Sequence, residues 1–136
     1  MTQHVSSGWH ARMACAIVLA TACVGGAVAA EPGLRPAYQQ CIDATGGVTP
    51  DIKKCMSAEY AFQDRRLNNT YRTLMASLHG DAVVALRAEE RAWIKEKEAK
   101  CDAGREPGQA DELAAYDCSV TQTAKRAAEL EKRLAK

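Results

Sequence analysis

The chain predicts an all-α fold, a small disulfide-braced three-helix bundle with an irregular N-terminal arm. Three observations carry that prediction. Apolar residues recur at steps of three and four through three long segments after residue 49. No stretch of alternating apolar residues bounded by turns is long enough to compete as a strand. Four cysteines, Cys41, Cys55, Cys101 and Cys118, follow an apolar leader, and an exported chain of this size uses an even cysteine set as staples.

The leader comes first. Residues 1 to 12 are polar with Arg12 as their fixed positive charge, and Met13 to Val24 form an apolar run that ends in small residues, the outline of a signal peptide over residues 1–30. A bilayer crossing takes about 20 consecutive apolar residues, so this run is too short for a stop-transfer span. Small residues at Ala27-Val28-Ala29 and Val28-Ala29-Ala30 suit signal-peptidase cleavage and put the new N-terminus at Ala30 or Glu31, of which Glu31 is preferred. A rival reading takes Leu19-Ala20-Thr21-Ala22-Cys23 as a degenerate lipobox, which makes Cys23 the acylated first residue and a lipid anchor. Either way the remainder, 31–136, is one helical domain that is periplasmic or secreted. Of the 18 Lys and Arg one is Arg12, and all 17 Asp and Glu lie after residue 30, so the exported part is formally neutral. Neutrality gives no electrostatic case for nucleic acid or an anionic membrane as partner.

The arm, residues 31 to 50, holds Pro32, Gly33, Pro36, Gly46, Gly47 and Pro50, and only Tyr38 to Ala44 looks like a short helical turn around Cys41. Thr49-Pro50-Asp51 then supplies an N-cap, a proline at the first helical position and an early acid, so the first long helix runs from Pro50 to about His79. Its inward stripe is Tyr60, Asp64, Leu67, Tyr71, Leu74 and Leu78. Gly80 suits a left-handed C′ position and Asp81 an N-cap, so a second helix, about Ala82 to Lys100, folds back antiparallel. Its stripe runs Val83, Leu86, Glu90, Trp93 and Lys97, widened by Ile94. A loop over residues 102–110 with two glycines and a proline leads to a third helix from about Asp111, striped by Leu113, Tyr116, Val120, Thr123, Ala127, Leu130 and Leu134. The core of such a bundle is thin, and disulfides answer that shortage.

Asp64 interrupts the apolar stripe and needs a partner if it is enclosed. The antiparallel hairpin sets Arg91 at about its level, so Asp64, Asn68, Tyr71, Arg91 and Arg126 are expected to form an internal polar knot that fixes helix register, with Trp93 beside it as core. An acid–base site is the competing reading; an enclosed seam leaves little room for substrate, and no nucleophile–base pair is apparent. Residues 31–136 hold one histidine, His79, no C-x-x-C spacing and no Gly-rich phosphate loop, so no enzyme activity, metal or cofactor is expected. The four cysteines allow three connectivities, and the spacing chooses none. Between Asp102 and Asp117 five acids face Arg105 alone. Glu106, Asp111 and Glu112 of that segment are candidates for contact with a cationic partner.

Taken together, Cys41, Cys55, Asp64-x-x-Leu67-Asn68-x-x-Tyr71, Arg91-Ala92-Trp93-Ile94, Cys101, Cys118 and Thr123-x-x-Arg126-x-x-x-Leu130 resemble the N-terminal domain of the LprI-type lysozyme inhibitor family. The likeness covers about Tyr38 to Leu134. It departs from the family pattern at Glu90, usually a glutamine, and at Lys97-Glu98, usually an Arg-Asp pair. The resemblance implies an exported helical binding protein with a protein partner, lysozyme or a similar glycan hydrolase, blocked by steric and electrostatic plugging. A structural or stress module of the cell envelope that binds an endogenous protein or cell-wall partner is the alternative.

Overall fold

The computed structural model describes residues 33–135, so the expected signal peptide and the rival lipid anchor at Cys23 lie outside the described residues. Four helices follow in order: α1 (Pro36–Ala44), α2 (Thr49–Ser77), α3 (Asp81–Lys100) and α4 (Gln109–Leu134). Among the described residues there is no strand. The fold class is all-α as predicted, with α2, α3 and α4 forming the bundle. The arm is more regular than its glycines and prolines suggested, because α1 extends the expected turn back to a proline in its first turn.

The cysteines pair locally. Cys41 joins Cys55 with Cα atoms 5.8 Å apart, tying α1 to α2, and Cys101 joins Cys118 at 5.5 Å, tying the end of α3 to α4. These bridges close segments of 14 and 17 residues, for which restriction of the unfolded chain contributes about 3 kcal/mol each.

Two helix ends differ from the sequence expectation. Thr49 is the first residue of α2 and Val48 the capping position, so Pro50 sits one place further in and the cap has no side-chain hydrogen bond. At the other end α2 stops at Ser77, and Leu78 is extended rather than helical, which turns its side chain back onto the core. Gly80 does take positive φ, 55°, but it does so at the capping position of α3 rather than as the C′ residue of α2. At the start of α4, the Asp111 carboxylate accepts a hydrogen bond from the Gly108 N–H at 3.0 Å.

α2 and α4 run parallel and pack most closely, because small residues of α4, Thr123, Ala124 and Ala127, let the backbones approach. One apolar cluster gathers Leu67, Leu74, Leu86, Ala127 and Leu130; a second gathers Tyr38, Cys55, Met56 and Val120. The line of α2 that is most buried therefore faces α4 and contains Met56, Glu59, Gln63, Leu67, Thr70 and Leu74. Of the expected stripe, Leu67 and Leu74 belong to this buried line, whereas Tyr60, Asp64 and Tyr71 are only half-buried, and Asp64 and Tyr71 face α3. α3 stands further off, since Leu86 is its one buried side chain and its other inward positions, Glu90, Trp93 and Lys97, are too large or too polar to close the gap.

Candidate functional site

The gap between α2 and α3 is a groove of about 500 Å³, within the size range of small-ligand pockets. α2 contributes Asp64, Leu67, Asn68 and Tyr71, spaced so that one helical stripe forms a wall. α3 contributes Arg87, Glu90, Arg91, Trp93, Ile94 and Lys97, and Thr123 of α4 also lines it. The Thr123 hydroxyl donates to the Ser119 carbonyl of its own helix at 2.8 Å.

This geometry corrects the expected internal knot. Asp64, Asn68, Tyr71, Arg91 and Trp93 do come together, but around an open groove rather than inside an enclosed seam. Among the described residues, the Asp64 carboxylate, the Tyr71 hydroxyl and the Arg91 guanidinium have no side-chain partner. Asn68 bonds only the Asp64 backbone carbonyl, at 2.9 Å. The physical reason is the distance α3 keeps: carboxylate and guanidinium stand on opposite lips of an open cleft. Trp93 is half-buried, with the Lys97 Nζ 5.1 Å from its ring centroid and the Arg126 Cζ 6.0 Å away.

Arg126 leaves the proposed knot altogether. It is 7 % exposed and fastens α4 to α3, donating through Nε to Glu90 Oε1 at 2.7 Å and through Nη2 to Glu89 Oε1 at 2.7 Å. Glu129 takes a third bond at 3.3 Å, and Arg133 also reaches Glu89, at 2.9 Å. Burial opposes the charge on Arg126, but the carboxylates of Glu90, Glu89 and Glu129 outweigh it and hold its pKa above the ordinary value. Burial likewise works against the Glu89 anion, and its bonds to Arg126 and Arg133 win, so its pKa is lowered. Glu90 Oε2 is buried with no hydrogen-bond partner among the described residues. A clamp of this kind was legible only as an Arg126-x-x-Glu129 pair in one helix and Glu89-Glu90 in another, with nothing to say that they meet.

A second polar network, which the sequence reading missed, lies on the opposite flank of α2. Glu59 and Gln63 are fully enclosed, and the arm reaches in to satisfy them. Arg35 Nε donates to Glu59 Oε2 at 2.7 Å, its backbone N–H to Glu59 Oε1 at 3.1 Å, and Gln63 Nε2 donates to the Gly33 carbonyl at 2.7 Å. Arg66 continues the chain to Glu131 of α4 at 2.6 Å. The available signal was polar residues at helical spacing, Glu59, Gln63 and Arg66, that no residue of the helical hairpin could match.

The candidate partner-binding acids are only partly available. Asp111 is engaged in the α4 start, and Glu112 pairs with Lys53 across to α2 at 3.3 Å, both carboxylates remaining exposed. Glu106 stands on the exposed loop between the helices, held at its base by the Cys101–Cys118 bridge. Among the described residues no group of His, Cys, Asp and Glu is arranged to hold a metal, and no helix is long and apolar enough to cross a membrane.

Fold and site thus define a small disulfide-braced helical domain with a polar–aromatic groove on one flank. A family model described as "Lysozyme inhibitor LprI" matches residues 41–130, and the chain belongs to this family. It is also similar to the uncharacterized protein R02472 of Rhizobium meliloti (strain 1021), 31% identical over 116 residues, covering 74% of this chain and 77% of that one. No solved structure matches. Asp64, Leu67, Asn68, Tyr71, Arg91, Trp93, Ile94 and Thr123, all within the matched range, gather around the groove.

Proposed function

We propose that the protein is exported and inhibits a lysozyme-type glycan hydrolase by binding it. The observation that carries this reading is the family match over residues 41–130. Export is supported by the apolar leader and by two disulfides, bonds that persist in oxidising compartments. The contact surface in this proposal is the loop that starts at Asp102 together with the first turn of α4, as far as Glu112. Its base is fixed at the Cys101–Cys118 bridge, so it presents acids with little ordering cost on association.

In that arrangement Glu106 makes the leading contact with the basic rim of the enzyme's cleft, and Glu112 joins by exchanging its weak surface pair with Lys53. Asp111 contributes charge only, since its carboxylate is committed to the first turn of α4. Charges at the rim mainly speed association and make it salt-sensitive. The test is a cell-wall lysis assay with lysozyme and the oxidised chain. Protection that weakens with salt, and weakens about tenfold in Glu106→Lys, supports the proposal. No protection at large molar excess refutes it and leaves the envelope-module alternative, which a pull-down from envelope extract would then address.

A further inference from the structure

The groove between α2 and α3 has a chemistry that the acidic loop does not share. Its α3 lip carries Arg87 and Arg91, four residues apart and therefore side by side on one helix face, where like charges repel. Neither guanidinium has a hydrogen bond or ion pair among the described residues, and both are exposed. Glu90, which lies between them in sequence and also lines the groove, pairs with neither: its Oε1 accepts from Arg126 at 2.7 Å, and its Oε2 is buried without a hydrogen-bond partner among the described residues. The facing α2 lip carries Asp64 and Asn68, also without side-chain partners, which accept and donate hydrogen bonds. Between the lips lie apolar surfaces, Trp93 and Ile94, the latter 40% exposed for so large an apolar side chain.

We propose that this groove binds a carboxylate-bearing saccharide. Two adjacent guanidiniums without an ion pair of their own are matched by a carboxylate, which they bind in charge-assisted pairs. An aspartate and an asparagine opposite them are matched by hydroxyl groups, which a saccharide presents on the edge of the ring away from its acid substituent. The C–H faces of a pyranose suit the apolar floor, and the volume of the groove, about 500 Å³, accommodates one or two rings. A peptide anion satisfies the arginines as well, but it leaves the Asp64 carboxylate without the hydroxyl donors that a sugar ring offers. None of residues 102–112 lines the groove, so the inference does not rest on inhibition of a hydrolase.

The experiment is an amide and indole NMR titration of the oxidised chain with N-acetylmuramic acid, set beside N-acetylglucosamine, which lacks the lactyl carboxylate, and beside a short acidic peptide. The expected result is saturable shifts at the Trp93 indole, Ile94 and the Asn68 side-chain amide, with the acidic sugar binding at least about tenfold more tightly than the neutral one. Replacing both arginines (Arg87→Gln with Arg91→Gln) is expected to abolish that tenfold preference while leaving the circular dichroism spectrum and Tm unchanged, since both side chains are exposed. Equal binding of the two sugars overturns the proposal, as do shifts confined to residues 102–112, absence of shifts at millimolar sugar, or an acidic peptide that binds the groove as tightly as the acidic sugar.

Discussion

Replacing Arg126 by alanine tests whether α3 is held to the bundle chiefly by the ionic clamp. The side chain is 7 % exposed and bonds three carboxylates, of which Glu89 and Glu129 are 44% and 60% exposed and return to water when the arginine is lost. Their share of the cost is small. Glu90 is 13% exposed, with Oε2 already lacking a partner, so the substitution leaves a nearly enclosed carboxylate unpaired. Breaking a buried pair in this way costs about 3–5 kcal/mol, and the partial exposure of Glu90 puts the expectation near the lower end, about 3 kcal/mol. For a domain of this size about 1 kcal/mol moves Tm by about 4–8 °C, so the melt is expected to fall by about 12–24 °C. The assay is thermal unfolding of the oxidised chain followed by circular dichroism at neutral pH. Adding Glu90→Leu to the alanine variant removes the stranded charge and is expected to restore at least half of the loss. A fall of less than about 5 °C, or a double variant no more stable than the single one, would refute the clamp.

Three further outcomes follow from the same geometry. Gly33→Ala is expected to destabilise by about 1–3 kcal/mol and to loosen the arm, because φ is 95° there and an added Cβ meets the Ala124 carbonyl oxygen at 2.8 Å; urea unfolding and proteolysis near residue 33 report it. Tyr38 donates to Asp117 at 2.6 Å, and burial followed by that carboxylate pushes its phenol well above the usual value of about 10. The unfolded chain therefore loses this proton first as pH rises past about 10, so stability falls there, and Tyr38→Phe is expected to flatten that alkaline decline in pH-dependent denaturation. Asp64→Asn is expected to change stability by less than about 0.5 kcal/mol, because the carboxylate has no side-chain partner to lose; a drop above about 2 kcal/mol in chemical denaturation restores the buried-knot reading.

Much of the fold was legible because the rules involved are local. Proline in the first turn, positive-φ glycines and apolar steps of three and four place α2, α3 and α4 within a few residues of their observed bounds. The candidate site was legible as a set of residues and misread as an environment. Asp64, Asn68, Tyr71, Arg91 and Trp93 do converge, yet periodicity says which face a residue occupies and not how close the facing helix comes. The buried pair Glu59 and Gln63 escaped notice for a related reason. Their partners belong to the arm, whose path over α2 depends on Gly33 lying against Ala124, a contact between residues far apart in the chain.

The sequence by itself determined the helices, their order and antiparallel hairpin, the even cysteine set and the membership of one polar–aromatic signature, since each follows from short-range sterics, hydrophobic spacing or composition. Only the tertiary structure decided that the cysteines pair within neighbours, that Arg126 serves α3 rather than Asp64, and that α2 closes on α4 while leaving a groove towards α3. The physical reason is packing: small residues on α4 permit close approach, bulky charged ones on α3 forbid it, and the balance between those two interfaces is set by all three helices at once.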